Sequence, residues 1–212
     1  MLFIACTGFV LGFLGSIPIA GPISVLVLAL GLRSGFRKAL AVATGGALAE
    51  GFYAFLAFWG FSSFLARYAN ALNASRGITA LILFAVGLIL IRKRRPVEAS
   101  VPVTRNAARN GFLIGFTISI LNPTLILTWM AASSAVFSAH LVSFYAYEAV
   151  PFSLGVMAGI IGWFALLLGL AARYRGRFRP ASLDRVIHLT GWLVIAGALV
   201  FLMLQIMDLL SA

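Results

Sequence analysis

Continuous apolar runs of about 20 residues restrict the fold of this chain more than any other feature, because a helix of that length matches the hydrocarbon thickness of a bilayer. Six stretches qualify or nearly qualify: Leu2 to Leu32, Ala39 to Leu65, Gly77 to Ile91, Gly111 to Ala132, Ala149 to Ala172 and Val186 to Leu210. They are apolar throughout rather than alternating, so spanning helices are expected and membrane strands are not. The third run is short and reaches workable length only if residues 71–75 extend it. With 62% hydrophobic and 10% charged residues, and a mean hydropathy of +1.07, the composition lies far outside that of a soluble domain. The first 32 residues carry no charged side chain. The basic leader of a secretory signal peptide is missing, and the first run is expected to stay in the mature protein.

The net charge of +11 would suit nucleic acid, but the basic residues lie in short clusters between apolar runs, which membrane topology alone produces. A nucleic-acid partner is therefore not expected. Fourteen of the 16 basic residues fall in the loops after the first, third and fifth runs, among them Arg33, Arg37, Lys38, the cluster Arg92 to Arg95, and Arg173 to Arg185. The opposite side has only Arg67 and Arg76. By the positive-inside rule the chain has six helices in a cell membrane of the bacterial inner-membrane type, with both termini on the non-cytoplasmic side. The basic loops would also contact anionic membrane lipids. The single cysteine, Cys6, excludes an internal disulfide and thiol-pair redox chemistry.

The basic, polar loop over residues 92–110 divides one transmembrane domain into a repeat over 1–91 and a second over 111–212. Gly8, Phe9, Gly12 and Phe13 recur at the same spacing as Gly111, Phe112, Gly115 and Phe116. Each half then meets a proline near mid-span. Two halves of three helices each must insert with opposite orientation, the inverted-repeat plan of many secondary transporters.

Those prolines mark the first candidate site residues. Pro18, Gly21 and Pro22 crowd the middle of the first run. Proline removes a backbone donor and clashes one turn back, so a helix is hard to continue there. The freed polar groups are tolerated in a membrane only where protein or a water-filled cavity receives them. Asn122 and Pro123 occupy the corresponding region of the second half. The Asn122 amide could hold a solute's ammonium or carboxylate, or serve as interhelical glue.

Glu50 supplies the chemistry. It is the only charged residue between Ala39 and Leu65 and has Gly45, Gly46 and Gly51 beside it. Acids inside a membrane are rare and mark solute or proton pathways. A carboxyl that can exchange a proton for a cationic group is the minimal coupling device of an antiporter. The competing reading is a protonated Glu50 that only hydrogen-bonds a facing helix. Tyr53, three residues on, could hydrogen-bond Glu50 or stack on a cation, but a plain lipid-facing or packing role suits it better. Trp129, about two turns beyond Asn122, could line a cavity or sit at an interface. Glu148, just before Pro151, reads as a solvated carboxylate at the start of the fifth helix. Asp184 and Arg185 read as cap and anchor, and His140 and His188 are too far apart to share a metal.

With these motifs the chain resembles, over its whole length, the LysE/RhtB family of amino-acid exporters. The resemblance rests on six runs, the Pro18 to Pro22 motif, the Gly31 and Gly35 turn, and the Asn122–Pro123 pair. Thr124 stands where many members have lysine. The resemblance implies a proton- or ion-gradient-driven exporter, often dimeric, with its small-molecule site between the two broken helices and no cofactor.

The residues leave other functions open. An exporter of organic or metal cations would use the same acid, although a divalent ion wants several oxygen ligands. An intramembrane enzyme would need a nucleophile with a base, or paired acids. The deep polar set of Ser16, Glu50, Thr117, Ser119 and Asn122 has no histidine or second acid. A membrane scaffold that moves nothing would use the basic loop as its active surface.

Overall fold

The computed structural model describes residues 1–17, 22–67, 110–138 and 145–173, with isolated helical positions between 81 and 88 and between 192 and 207. Among the described residues there are helices and no strands. They are α1 (Leu2–Gly15), α2 (Pro22–Ser34), α3 (Phe36–Arg67), α4 (Gly111–Ile120), α5 (Pro123–Ser138) and α6 (Ala149–Arg173), the last preceded by a 3-10 turn over Ala146–Glu148. Two stretches, Phe36–Ser63 and Ala146–Arg173, are long and apolar enough to cross a membrane, and the bent pair α4–α5 would make a third. Pro18, Gly21, the loop over 92–109, and most of the third and sixth runs lie outside the described residues, as do His140, His188, Asp184 and Arg185.

Both expected interruptions are present. The first run is split into α1 and α2, and the fourth is bent by 72° between α4 and α5. Proline begins the helix after each break, Pro22 in α2 and Pro123 in α5. Its fixed φ suits a first helical turn, where a missing N–H leaves no bond unmade. α2 ends at Gly35, whose φ of 97° only glycine adopts freely, and α3 starts at the next residue. Its N–H returns to the Leu30 carbonyl at 3.1 Å.

Helix contacts are made through glycine. A Cβ at Gly8 or Gly12 would strike the backbone carbonyls of Phe152 and Val156 on α6. One at Gly155 or Gly159 would strike those of Ala5 and Phe9 on α1. Apolar lipid offers helices no hydrophobic reason to associate, so close backbone approach over small residues supplies the packing energy. The increasing pairs Ala5–Gly155 and Phe9–Gly159 make α1 and α6 parallel.

The same contact recurs between α3 and α4. Gly115 meets the Val42 carbonyl as Gly12 meets that of Val156, and Gly45 meets Phe112 and Phe116 as Gly159 meets Phe9 and Phe13. A Cβ on Gly111 would lie 3.2 Å from the Lys38 carbonyl, as one on Gly8 would meet that of Phe152. Each equivalent pair is displaced by one constant number of residues along its helix, so α4 packs on α3 as α1 packs on α6. Between the pairs, Gly51 touches Met157 while Ala39 and Leu168 both approach Gly31, so α3 and α6 run antiparallel. Arg37, Lys38 and Arg173 consequently emerge at one end of the bundle, and Met1 and Tyr145 belong to the other.

Candidate functional site

The site is organised by one stripe of α3. Gly46, Glu50 and Tyr53 fall at i, i+4 and i+7, so they share a face. A Cβ on Gly46 would lie 2.8 Å from Ile23 Cδ1 and 3.3 Å from Ser119 Oγ. Ile23 is the second residue after the first break, and Ser119 is the last but one before the second. Both interruptions thus converge on Gly46, one helical turn from Glu50, and a side chain there would occupy their meeting point.

At the other end of the stripe, the Tyr53 hydroxyl donates to the Ile120 carbonyl at 2.6 Å. Ile120 ends α4, and its carbonyl is one of those a continuing helix would have satisfied. The break closes its remaining groups locally: Leu121 N–H reaches Thr117 O at 3.1 Å, Asn122 N–H reaches Ser119 O at 3.0 Å, and Leu125 N–H reaches Asn122 O at 3.2 Å. In the first half, the Ser16 hydroxyl returns to the Gly12 carbonyl at 2.7 Å. Tyr53 was expected first as a lipid-facing or packing residue and second as a partner of Glu50 or a cation, and its hydroxyl is committed to the bend in the fourth run.

Glu50 is half-buried on this stripe. Trp129, from α5, places its indole nitrogen beside the Glu50 carboxyl. That N–H is fully buried and lacks an acceptor in hydrogen-bonding geometry, so a small displacement of either side chain, or an arriving carboxylate, would satisfy it. Trp129 packs edge-on against Phe152 of α6, with ring centroids 6.5 Å apart, and is 5% exposed. It is a core residue rather than one at a lipid interface. Asn122, half-buried, lies in the bend itself.

Of the residues picked out in the sequence, Glu50, Tyr53, Trp129, Asn122 and the helix-starting Pro22 and Pro123 belong to this one region; Pro18 and Gly21 lie outside the described residues. Sequence reasoning missed Gly46 as the junction, and Ser119 as its contact. An open cavity of about 350 Å³ lies elsewhere, between Arg37, Lys38 and Asn110. Thirteen residues of α3 put it roughly 20 Å from Glu50, at 1.5 Å per residue. Glu148 also differs from expectation. It is buried at 7% exposure, because its 3-10 turn packs onto α3.

An apolar helical bundle with interrupted spans and a single acid beside the interruptions defines a multi-pass membrane transporter. The chain belongs to the LysE type translocator family, whose model matches residues 15–205. It is similar to the Bacillus subtilis (strain 168) protein named "Putative amino acid efflux protein YcgF", at 25% identity over 184 residues, covering 86% of this chain and 87% of that one. No solved structure matches it significantly.

Proposed function

We infer that this protein is a secondary exporter of a small cationic or zwitterionic metabolite, best an amino acid, driven by a proton or ion gradient. One observation carries the reading: both helix breaks meet at Gly46, one turn from the sole acid of α3. Broken helices leave backbone carbonyls and amides that can orient an amine or a carboxylate, and the acid supplies a charge that a proton or an ammonium can neutralise in turn. The name of the Bacillus subtilis relative supports amino acids as the solute class.

In this mechanism Glu50 takes a proton from one side of the membrane and yields it as the solute ammonium binds. The Trp129 N–H and the Asn122 amide hold the solute carboxylate or steady the emptied Glu50. Tyr53 fixes the bend so that these groups stay in register. The reciprocal glycine contacts of α1 with α6 and α4 with α3 support two halves related as an inverted repeat. Rocking one half on the other would then expose Glu50 to alternate sides. The basic residues at one end of the bundle favour that end as cytoplasmic, with both termini outside.

Export of an organic cation is the second reading, since the Trp129 ring beside Glu50 would also suit an ammonium without a carboxylate. Among the described residues no three His, Cys, Asp or Glu side chains gather, so the site offers a divalent metal few of the ligands it prefers. Radiolabelled counterflow with purified protein, over amino acids and related amines at two pH values, separates these readings. Exchange confined to amines lacking a carboxylate would replace the amino-acid reading, and exchange of no solute would reject export.

A further inference from the structure

Glu148 has no role in the Glu50 site, yet it is the other acid among the described residues. It is 7% exposed, and its Oε2 is buried without a hydrogen-bond partner. A carboxylate oxygen withdrawn from water and given no donor is unfavourable unless a partner arrives.

The ground between the two acids is specific. α5 carries Trp129, Ser133 and Phe137 at i, i+4 and i+8, all buried. The Trp129 indole N–H and the Ser133 hydroxyl both lack partners. The stripe starts beside Glu50 and ends in a knot of rings. Phe58 of α3 lies with its centroid 4.8 Å from Phe137 and 4.7 Å from Phe152. Phe152 is one turn after Glu148, and Phe58 two turns beyond Glu50, on helices that run antiparallel. Glu148 is therefore on the far side of the ring cluster from Glu50.

We propose that Glu148 is a second cation station on the export path, taking the solute's ammonium after Glu50 releases it, with Phe58, Phe137 and Phe152 as the barrier between the two. The proposal rests on the exporter reading of the Glu50 site. Among the described residues along α5, an ammonium leaving Glu50 meets an indole N–H, a hydroxyl and ring faces, and a counter-charge just past the barrier keeps the crossing from stranding it in a low-dielectric medium. The unpartnered groups along α5 offer the rest of a polar solute hydrogen bonds on the way.

The test measures half-saturation from each face separately, in right-side-out and inside-out membrane vesicles, with radiolabelled L-lysine and L-leucine as probes. In Glu148→Gln the outer-face value for lysine should rise at least about tenfold while the inner-face value moves less than about twofold. Glu148→Asp should restore the outer value. Equal changes at both faces, or none, would overturn the proposal. A second measurement uses the unaltered protein: labelling of Glu148 by a hydrophobic carbodiimide, read by peptide mass spectrometry, should be suppressed by external lysine. Unsuppressed labelling at saturating lysine would overturn it as well. If the unaltered protein moves neither probe nor any other solute of the counterflow panel, the exporter reading fails and takes this proposal with it. If it transports, and only the asymmetry at Glu148 is absent, this proposal alone fails.

Discussion

Tyr53→Phe removes one oxygen and nothing else, at a contact that joins α3 to the bend of the fourth run. The hydroxyl donates to the Ile120 carbonyl at 2.6 Å, a short bond even for an O–H donor. A neutral hydrogen bond contributes about 0.5–1.5 kcal/mol net, and an acceptor left buried and unpaired costs about 1–3 kcal/mol. Interhelical hydrogen bonds in membrane proteins average nearer 0.6 kcal/mol, with a maximum of about 1.7. Tyr53 is only half-buried, and a water admitted at the break would recover part of the loss. The working value is about 1 kcal/mol, a fivefold fall in the folded-to-unfolded ratio. Unfolding in mixed micelles by a graded denaturing detergent would read it. Transport should fall more than stability, because the freed bend no longer fixes the start of α5, the helix that brings Trp129 to Glu50. A Tyr53→Phe protein with unchanged stability and unchanged flux would refute the claim that this bond sets the geometry of the break.

Gly12→Ala and Gly115→Ala each place a methyl on a facing backbone carbonyl, Val156 and Val42 respectively. Each should cost about 1–3 kcal/mol by overpacking, with the two costs similar in the same unfolding assay if the halves are equivalent. Gly46→Leu fills the meeting point of the two breaks, where Ile23 and Ser119 already stand within contact distance. It should abolish counterflow while far-ultraviolet circular dichroism keeps the helical signal. Trp129→Phe keeps a ring against Phe152 but deletes the N–H beside Glu50. Solute affinity in counterflow should weaken about tenfold, the equivalent of one hydrogen bond to a charged group, with little change in unfolding.

Local chemistry made part of this structure readable from the sequence. Proline at 22 and 123 has an effect confined to its own turn, so the two interruptions were predictable; the Gly31 and Gly35 turn came only from the family resemblance, and of the two glycines Gly35 makes the turn while Gly31 lies within α2. The recurrence of Gly8 and Gly12 as Gly111 and Gly115 suggested a repeat. It did not say what they touch, because Gly45, Gly155 and Gly159 become partners only through helix order and crossing. Tyr53 shows the same limit: its spacing from Glu50 suggested one partner, and the bend of a helix distant in sequence supplied another. Glu148 failed for a related reason. A carboxylate at the edge of an apolar run, flanked by the exposed Tyr145 and Tyr147, reads as solvated until the packing of its short turn on α3 is known.

The central claim is that the Glu50 carboxyl exchanges a proton for the solute. Gradient-driven flux through Glu50→Gln in proteoliposomes tests it most directly, with unfolding measured on the same preparation. The account predicts a folded protein whose flux no longer responds to an imposed pH gradient. Gradient-driven flux equal to that of the unaltered protein would contradict it.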